Sequence, residues 1–223
     1  MNLKINQYID HTLLKATAKQ QDIIQLCKEA KEHEFYAVCV NGSYVSLAKK
    51  ELENSTVQIA AVIGFPLGAM STESKIFEAK QAIADGATEI DMVIHIGNLL
   101  DGAYEKVENE IREIKNAIGT RVLKVIFENC YLTKEQIQKV SLIAINAGAN
   151  FIKTSTGFGT GGATIEDVAL MKEIAKDQIA IKAAGGIRDI ETALKFINLG
   201  VTRLGTSSGV ALVTTGIAQK DQY

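Results

Sequence analysis

Ala147-Gly148-Ala149-Asn150-Phe151-Ile152-Lys153-Thr154-Ser155-Thr156-Gly157 compresses the plan of the whole chain into one short stretch. A helical pattern stops at a glycine suited to a left-handed cap, a brief β-rich run follows, and small residues turn the chain. The same punctuation returns at Asp85-Gly86-Ala87 and at Leu199-Gly200-Val201. Repetition of helix, glycine and strand marks consecutive βα units laid on a parallel sheet.

Working outward, eight strands are expected near Tyr8–Thr12, Tyr36–Val40, Gln58–Gly64, Glu89–Ile94, Val122–Glu128, Asn150–Ser155, Ile179–Ala184 and Thr202–Thr206. Helical patterns fill the gaps at Ala18–Glu34, Ser43–Leu52, Thr72–Asp85, Tyr104–Ile118, Lys134–Ala147, Ile165–Lys176 and Ile190–Leu199. In the fifth of these, Ile137, Val140, Ile143 and Ala144 share one stripe while Gln136, Gln138 and Lys139 fall elsewhere, as an amphipathic helix requires. Eight unbroken units favour a closed (β/α)8 barrel over an open doubly wound sheet. The first strand-to-helix glycines, Gly64 and Gly68, lack the dinucleotide fingerprint, and the glycine-rich loops gather in the C-terminal half. The fold class is therefore α/β, a TIM barrel forming one domain over residues 1–223 with a short C-terminal tail.

Composition agrees. Hydrophobic residues make up 47% of the 223 residues and charged residues 22%, with 18 glycines and a single proline, the profile of an α/β enzyme rather than a disordered chain. A net charge of −2 argues against broad nucleic-acid binding. Cys27, Cys39 and Cys130 are too sparse for a disulfide framework and lack zinc spacing, so a reducing cytoplasm is the expected home. Neither a secretory leader nor a stretch of membrane-spanning length is read in the sequence.

Lys153 gives the barrel a function to test. A lysine held mid-strand in a buried sheet gives up hydration of its ammonium, which eases deprotonation and frees the amine as a nucleophile. A lysine at a strand end with its stem on apolar surface would instead reach solvent. Side-chain alternation helps to decide. Ile90, Met92 and Ile94 face the helices, turning Asp91 and Val93 inward; Leu123, Val125 and Phe127 do the same for Lys124, Ile126 and Glu128. Ile179, Ile181 and Ala183 leave Lys182 inward, and Lys153 is opposite in parity to Ile152.

Four neighbouring strands thus send ionisable groups into one interior, where unpaired charge is excluded. A structural ion-pair network is one explanation and catalysis the other. Two converging lysines disfavour each other's protonation, so Lys153 and Lys182 form a candidate pair: one amine as nucleophile, the other, coupled to Asp91, moving protons. The pattern does not say which does which. Downstream, Ala184-Gly185-Gly186-Ile187-Arg188 and Gly205-Thr206-Ser207-Ser208-Gly209 are small-residue turns after strands seven and eight, where barrels hold phosphate, and Gly157 adds a third turn after strand six.

Several motifs together carry a resemblance: Tyr8-Ile9-Asp10-His11-Thr12-Leu13-Leu14-Lys15, Val38-Cys39-Val40-Asn41, Gly64-Phe65-Pro66-Leu67-Gly68, Glu89-Ile90-Asp91-Met92-Val93, Phe151 to Phe158, Lys182 to Gly186, and Gly205 to Gly209. Over almost its whole length the chain resembles the deoxyribose-phosphate aldolases, Schiff-base enzymes of the (β/α)8 class. The resemblance implies cleavage of 2-deoxy-D-ribose 5-phosphate to acetaldehyde and D-glyceraldehyde 3-phosphate with no metal or other cofactor. It implies that Lys153 forms the Schiff base, that Asp91 and Lys182 transfer protons, and that Asp10 and Thr12 hold substrate hydroxyls or water. Gly157, Gly185, Gly186, Ser207 and Ser208 match the family's phosphate turns, and Tyr223 its C-terminal tyrosine, which assists proton transfer at the substrate's methyl carbon. Gly42 and His95 depart from the family's usual proline and asparagine; the reading of His95 is a cap on a polar loop. Cys39, inward in parity, matches a family cysteine open to attack by aldehyde products, whereas a packed thiol is the common role of a buried cysteine.

The expected partners are small phosphorylated sugars and aldehydes, with neither nucleic acid nor membrane. Alternation and spacing leave the oligomeric state open, though barrels of this kind often pair through helix faces, so a homo-oligomer, a dimer first, is expected. A phosphosugar isomerase would share the phosphate turns and use Asp91 as base, but would not need paired lysines. A non-catalytic sugar-phosphate sensor would keep its output without Lys153.

Overall fold

The computed structural model describes residues 4–217, so Tyr223 lies outside the described residues. Eight parallel strands close a barrel in chain order: β1 Ile9–Leu13, β2 Ala37–Asn41, β3 Gln58–Ile63, β4 Glu89–Val93, β5 Val122–Ile126, β6 Phe151–Lys153, β7 Ala180–Ala184 and β8 Arg203–Thr206, with β8 pairing back onto β1. The helices are α1 Gln20–Glu32, α2 Val45–Glu51, α3 Thr72–Asp85, α4 Ile96–Leu100, α5 Tyr104–Ile118, α6 Lys134–Asn146, α7 Ile165–Ala175, α8 Ile190–Asn198 and α9 Gly209–Thr214. Among the described residues no helix is long and apolar enough to cross a membrane.

Local chemistry sets the helix ends. Ser71, Thr133, Thr164 and Asp189 each accept a backbone N–H from the first turn of α3, α6, α7 and α8, and Gln136 completes a capping box on Thr133. At the end of α3, Gly86 caps with φ of 116°, a left-handed geometry that a Cβ would oppose. The stripe Ile137, Val140, Ile143 and Ala144 is buried as its spacing requires.

Alternation sorts the strand residues into two cores. Ile90, Met92, Ile94, Leu123, Val125, Phe127, Ile152, Ile181 and Ala183 join the layer between strands and helices. Inside the barrel, Leu14, Cys39, Ala60 and Val62 form a separate apolar cluster, with Phe65 packed against it. Both layers remove apolar surface from water, at about 1.5–3 kcal/mol for each large side chain fully buried.

Two strands are shorter than their hydrophobic runs. β6 stops at Lys153 because the Thr154 side chain takes over the pairing: its hydroxyl donates to the Ala184 carbonyl and accepts the Ala184 N–H, each at 3.1 Å. β5 stops at Ile126, and Glu128 adopts a left-handed backbone with φ of 58°, so alternation no longer tells where its side chain points. Outside the barrel, Lys75 on α3 is fully buried; it donates to the Val93 carbonyl at 2.8 Å and pairs with Glu110 at 2.7 Å. Glu110 in turn accepts the His95 N–H at 3.0 Å, pinning the exit of β4.

Candidate active site

The inward-facing charges of β1, β4, β5, β6, β7 and β8 meet in one cluster with Asp91 as its hub. Asp91 Oδ1 accepts from Lys124 at 2.7 Å; Oδ2 accepts from Lys153 at 2.9 Å and from Lys182 at 2.8 Å. Register makes these contacts possible, since Asp91 lies level with Lys124, and Lys153 level with Lys182. Lys182 also donates to Asp10 at 2.5 Å, and the other Asp10 oxygen accepts from Arg203 at 2.6 Å. Arg203 donates to Glu89 at 2.7 Å, and Glu89 contacts Lys124 at 2.6 Å, closing the circuit. The Arg203 guanidinium also stacks on the Tyr36 ring at 3.3 Å.

Four cationic groups, Lys124, Lys153, Lys182 and Arg203, therefore face three carboxylates, Asp10, Glu89 and Asp91. A buried cluster with one surplus positive charge relaxes most readily by losing a proton. The surroundings choose which. Burial disfavours the charged forms of Lys124, Lys182 and Arg203, but the neighbouring carboxylates outweigh it and raise all three pKa values. For Lys153 burial wins: Lys182 adds to it, Asp91 only partly opposes it, and the pKa falls. On the acid side, burial would raise Asp10 and Asp91. Their lysine partners, joined at Asp10 by Arg203, overcome that and hold both below the usual carboxylate range.

Access makes the same choice. Lys153 keeps 3% of its side chain exposed while Lys124 and Lys182 keep none. It lines a cleft of about 250 Å³ at the C-terminal mouth of the barrel, together with Thr12, Gly157, Gly185, Gly186, Ser207 and Ser208. A larger hollow of about 900 Å³ between α1 and α9 shares Thr12, Ser207 and Ser208, but none of Lys124, Lys153 and Lys182 lines it.

The cleft walls are loops following β6, β7 and β8. The loop after β6 lies directly on the turn after β7: the Ala163 N–H donates to the Ala184 and Gly185 carbonyls, and a Cβ on Gly162 would come within 2.3 Å of the Gly185 oxygen. After β8, Thr206 shapes the turn by donating to the Ile187 carbonyl and accepting the Ser208 N–H. Phe158 meets Phe65 edge-on across the mouth, with centroids 5.4 Å apart.

Most residues predicted for the site converge here. Three of them, Asp10, Asp91 and Lys182, are fully buried among the ion pairs rather than in the cleft lining, and both Asp10 oxygens are engaged. Glu128, inward by parity, makes no direct ion pair with the cluster; it accepts from the N–H and hydroxyl of Thr156, and burial raises its pKa although these bonds and the charge of Lys153 oppose that. His95 caps α4, its Nδ1 accepting the Asn98 N–H at 3.1 Å. Cys39 is buried beside the cluster, and burial pushes its thiol pKa up. Sequence reasoning missed Glu89 and Arg203, although Glu89 shares the parity of Asp91. It quoted Arg188 without assigning it, yet this exposed cation lines the cleft.

The chain matches the family model described as DeoC/LacD family aldolase over residues 4–213. It is 54% identical over 211 residues to a protein of Finegoldia magna named deoxyribose-phosphate aldolase, covering 95% of this chain and 99% of that one. A Deinococcus radiodurans protein of the same name is 53% identical over 214 residues, covering 96% and 97%. Among solved structures, the tetrameric deoxyribose phosphate aldolase of Aeropyrum pernix is similar with a TM-score of 0.86 at 31% identity, over 95% of this chain and 92% of that one.

Proposed function

The chain belongs to the DeoC/LacD family of aldolases, and on that premise we propose that it reversibly cleaves 2-deoxy-D-ribose 5-phosphate to acetaldehyde and D-glyceraldehyde 3-phosphate through a Schiff base on Lys153. The observation that carries this reading is the surplus of positive charge around Lys153, among the described residues the one buried lysine that opens on the cleft.

In this mechanism the neutral Lys153 amine adds to C1 of the open-chain sugar. Lys182, kept protonated by Asp10 and Asp91, supplies the proton with which the carbinolamine hydroxyl leaves as water. The resulting iminium draws the electrons of the C2–C3 bond onto nitrogen as the C3 hydroxyl proton is removed. Asp91 and Lys182, acting through water, relay that proton. D-Glyceraldehyde 3-phosphate departs, the enamine is protonated at C2, and water hydrolyses the iminium to acetaldehyde and free Lys153. The turns bearing Gly157, Gly185, Gly186, Ser207 and Ser208 would hold the phosphate, with Arg188 at the rim. Thr12, whose hydroxyl donates to the Asp10 carbonyl at 2.8 Å, stands beside Lys153 in the lining to meet a substrate hydroxyl. Tyr223 is proposed only as a contributor from the tail.

Borohydride added with substrate is expected to fix a covalent adduct on Lys153, located by peptide mass spectrometry, with turnover insensitive to chelator. An active wild-type chain that gives no adduct would defeat the proposal. Self-association, a dimer first, belongs to the same reading; exposed Leu67, Phe77 and Leu100 offer apolar surface for it, and sedimentation measures it.

A further inference from the structure

Glu128 carries a carboxyl that makes no direct ion pair with the cluster around Asp91. It is 2% exposed, and its backbone is left-handed at φ 58° and ψ 64°. A residue with a Cβ enters that region at about 1–2 kcal/mol, so its surroundings must hold it there. Two flanking backbone bonds do so: the Phe127 N–H donates to the Lys153 carbonyl and the Asn129 N–H to the Thr154 carbonyl, each at 3.0 Å. Between them, the Glu128 carboxyl is delivered to the exit of β6. There it accepts the Thr156 N–H at 3.2 Å and the Thr156 hydroxyl, whose oxygen in turn accepts the Phe158 N–H at 2.9 Å.

The clamp has no slack on its far side. A Cβ on Gly159 would come within 2.8 Å of Cys130 Sγ and 3.0 Å of Glu128 Cδ, so the loop lies directly on the carboxyl. Thr156 and Gly157, the residues thus fixed, line the cleft with Lys153 and the turns after β7 and β8.

Resting on the aldolase reading above, we propose that Glu128 is a positioning residue for the phosphate end of the cleft: it fixes the Thr156–Phe158 turn so that the Gly157 backbone meets the substrate's phosphate.

Glu128→Gln offers one acceptor oxygen to two donors, Thr156→Val removes the hydroxyl, and Thr156→Ser retains it. Loss of a hydrogen bond to a charged group predicts about a tenfold rise in KM for 2-deoxyribose 5-phosphate in E128Q and in T156V. The same change should weaken binding of inorganic phosphate, measured by calorimetry, by about the same factor while kcat changes by less than about twofold. T156S should restore both values, and E128Q/T156V should be no worse than the poorer single variant. A fall in kcat at unchanged KM would overturn the inference, as would wild-type phosphate affinity in E128Q. Should E128Q fail to fold, the T156V and T156S pair decides with Glu128 in place. A wild-type chain that releases no acetaldehyde would sink the aldolase reading alone, because the phosphate titration needs no turnover.

Discussion

Replacing Lys182 by methionine tests the charge surplus directly. Lys153 and Lys182 both contact Asp91 Oδ2, at 2.9 and 2.8 Å. Those contacts confine the two nitrogens to within about 5.7 Å of each other, where two unit charges repel by at least about 3 kcal/mol at an effective dielectric of about 20. Methionine keeps the length of the side chain, and no carboxylate is stranded: Asp10 retains Arg203, and Asp91 retains Lys124 and Lys153. Cations and carboxylates then balance, so Lys153 holds its proton to higher pH. Because the wild-type Lys153 pKa is lowered, its neutral fraction grows as pH rises through that depressed value, and the variant's growth must come later. Converting the repulsion predicts an alkaline displacement of roughly two pH units. The assay is reductive trapping of acetaldehyde on Lys153 as a function of pH. It reports imine formation and is read by its midpoint, so the expected loss of proton transfer in the variant does not obscure it. An unchanged midpoint would mean that burial alone sets the Lys153 pKa. A shift toward acid would refute the charge argument outright.

Other outcomes follow from the same contacts. Lys153→Met should abolish trapping and turnover yet raise stability by about 1 kcal/mol in urea unfolding, because folding no longer buries a lysine whose ammonium the site disfavours; a less stable variant would contradict that. Lys75→Met should cost about 3–5 kcal/mol by stranding Glu110. Adding Glu110→Gln, which removes the charge but keeps an acceptor for the His95 N–H, should recover at least half of it by the same measurement. Leu14 lines the cleft beside Lys153 and packs on Cys39, Ala60 and Val62. Leu14→Ala should raise the efficiency of propanal relative to acetaldehyde as donor by about tenfold in competition assays, the scale of one methylene in an apolar pocket. With Asp10 and Asp91 depressed, the stability they confer is full above their unfolded value of about 3.9 and is lost only as pH falls through the lower folded values. Asp10→Asn should therefore flatten part of the acid limb of an unfolding profile.

Alternation and glycine punctuation made the barrel legible, because each strand separates an outer apolar set from an inner one. The inner assignments of Asp91, Lys124, Lys153 and Lys182 depended only on parity and survived small errors at the strand ends. Parity failed at Glu128, where the chain had left the strand for a left-handed turn. α4 escaped notice because five residues with a glycine among them carry no helical period. Arg203 opens β8 with no alternating run before it, so no pattern showed that it joins Asp10 and Glu89. The partition of protons also lay beyond the sequence. Only the contacts show that Lys182 is shared between two carboxylates while Lys153 leans on one.

The four-against-three arrangement acts beyond the free enzyme. In the proposed mechanism an iminium on Lys153 would bring back the very excess that loss of a proton had removed, now on an atom bonded to substrate. Collapse of the C2–C3 electron pair onto that nitrogen would discharge it, so the scaffold's intolerance of a fourth cation would favour the enamine. The help given to breaking carbon from carbon would thus reside in the one carboxylate that this cluster lacks.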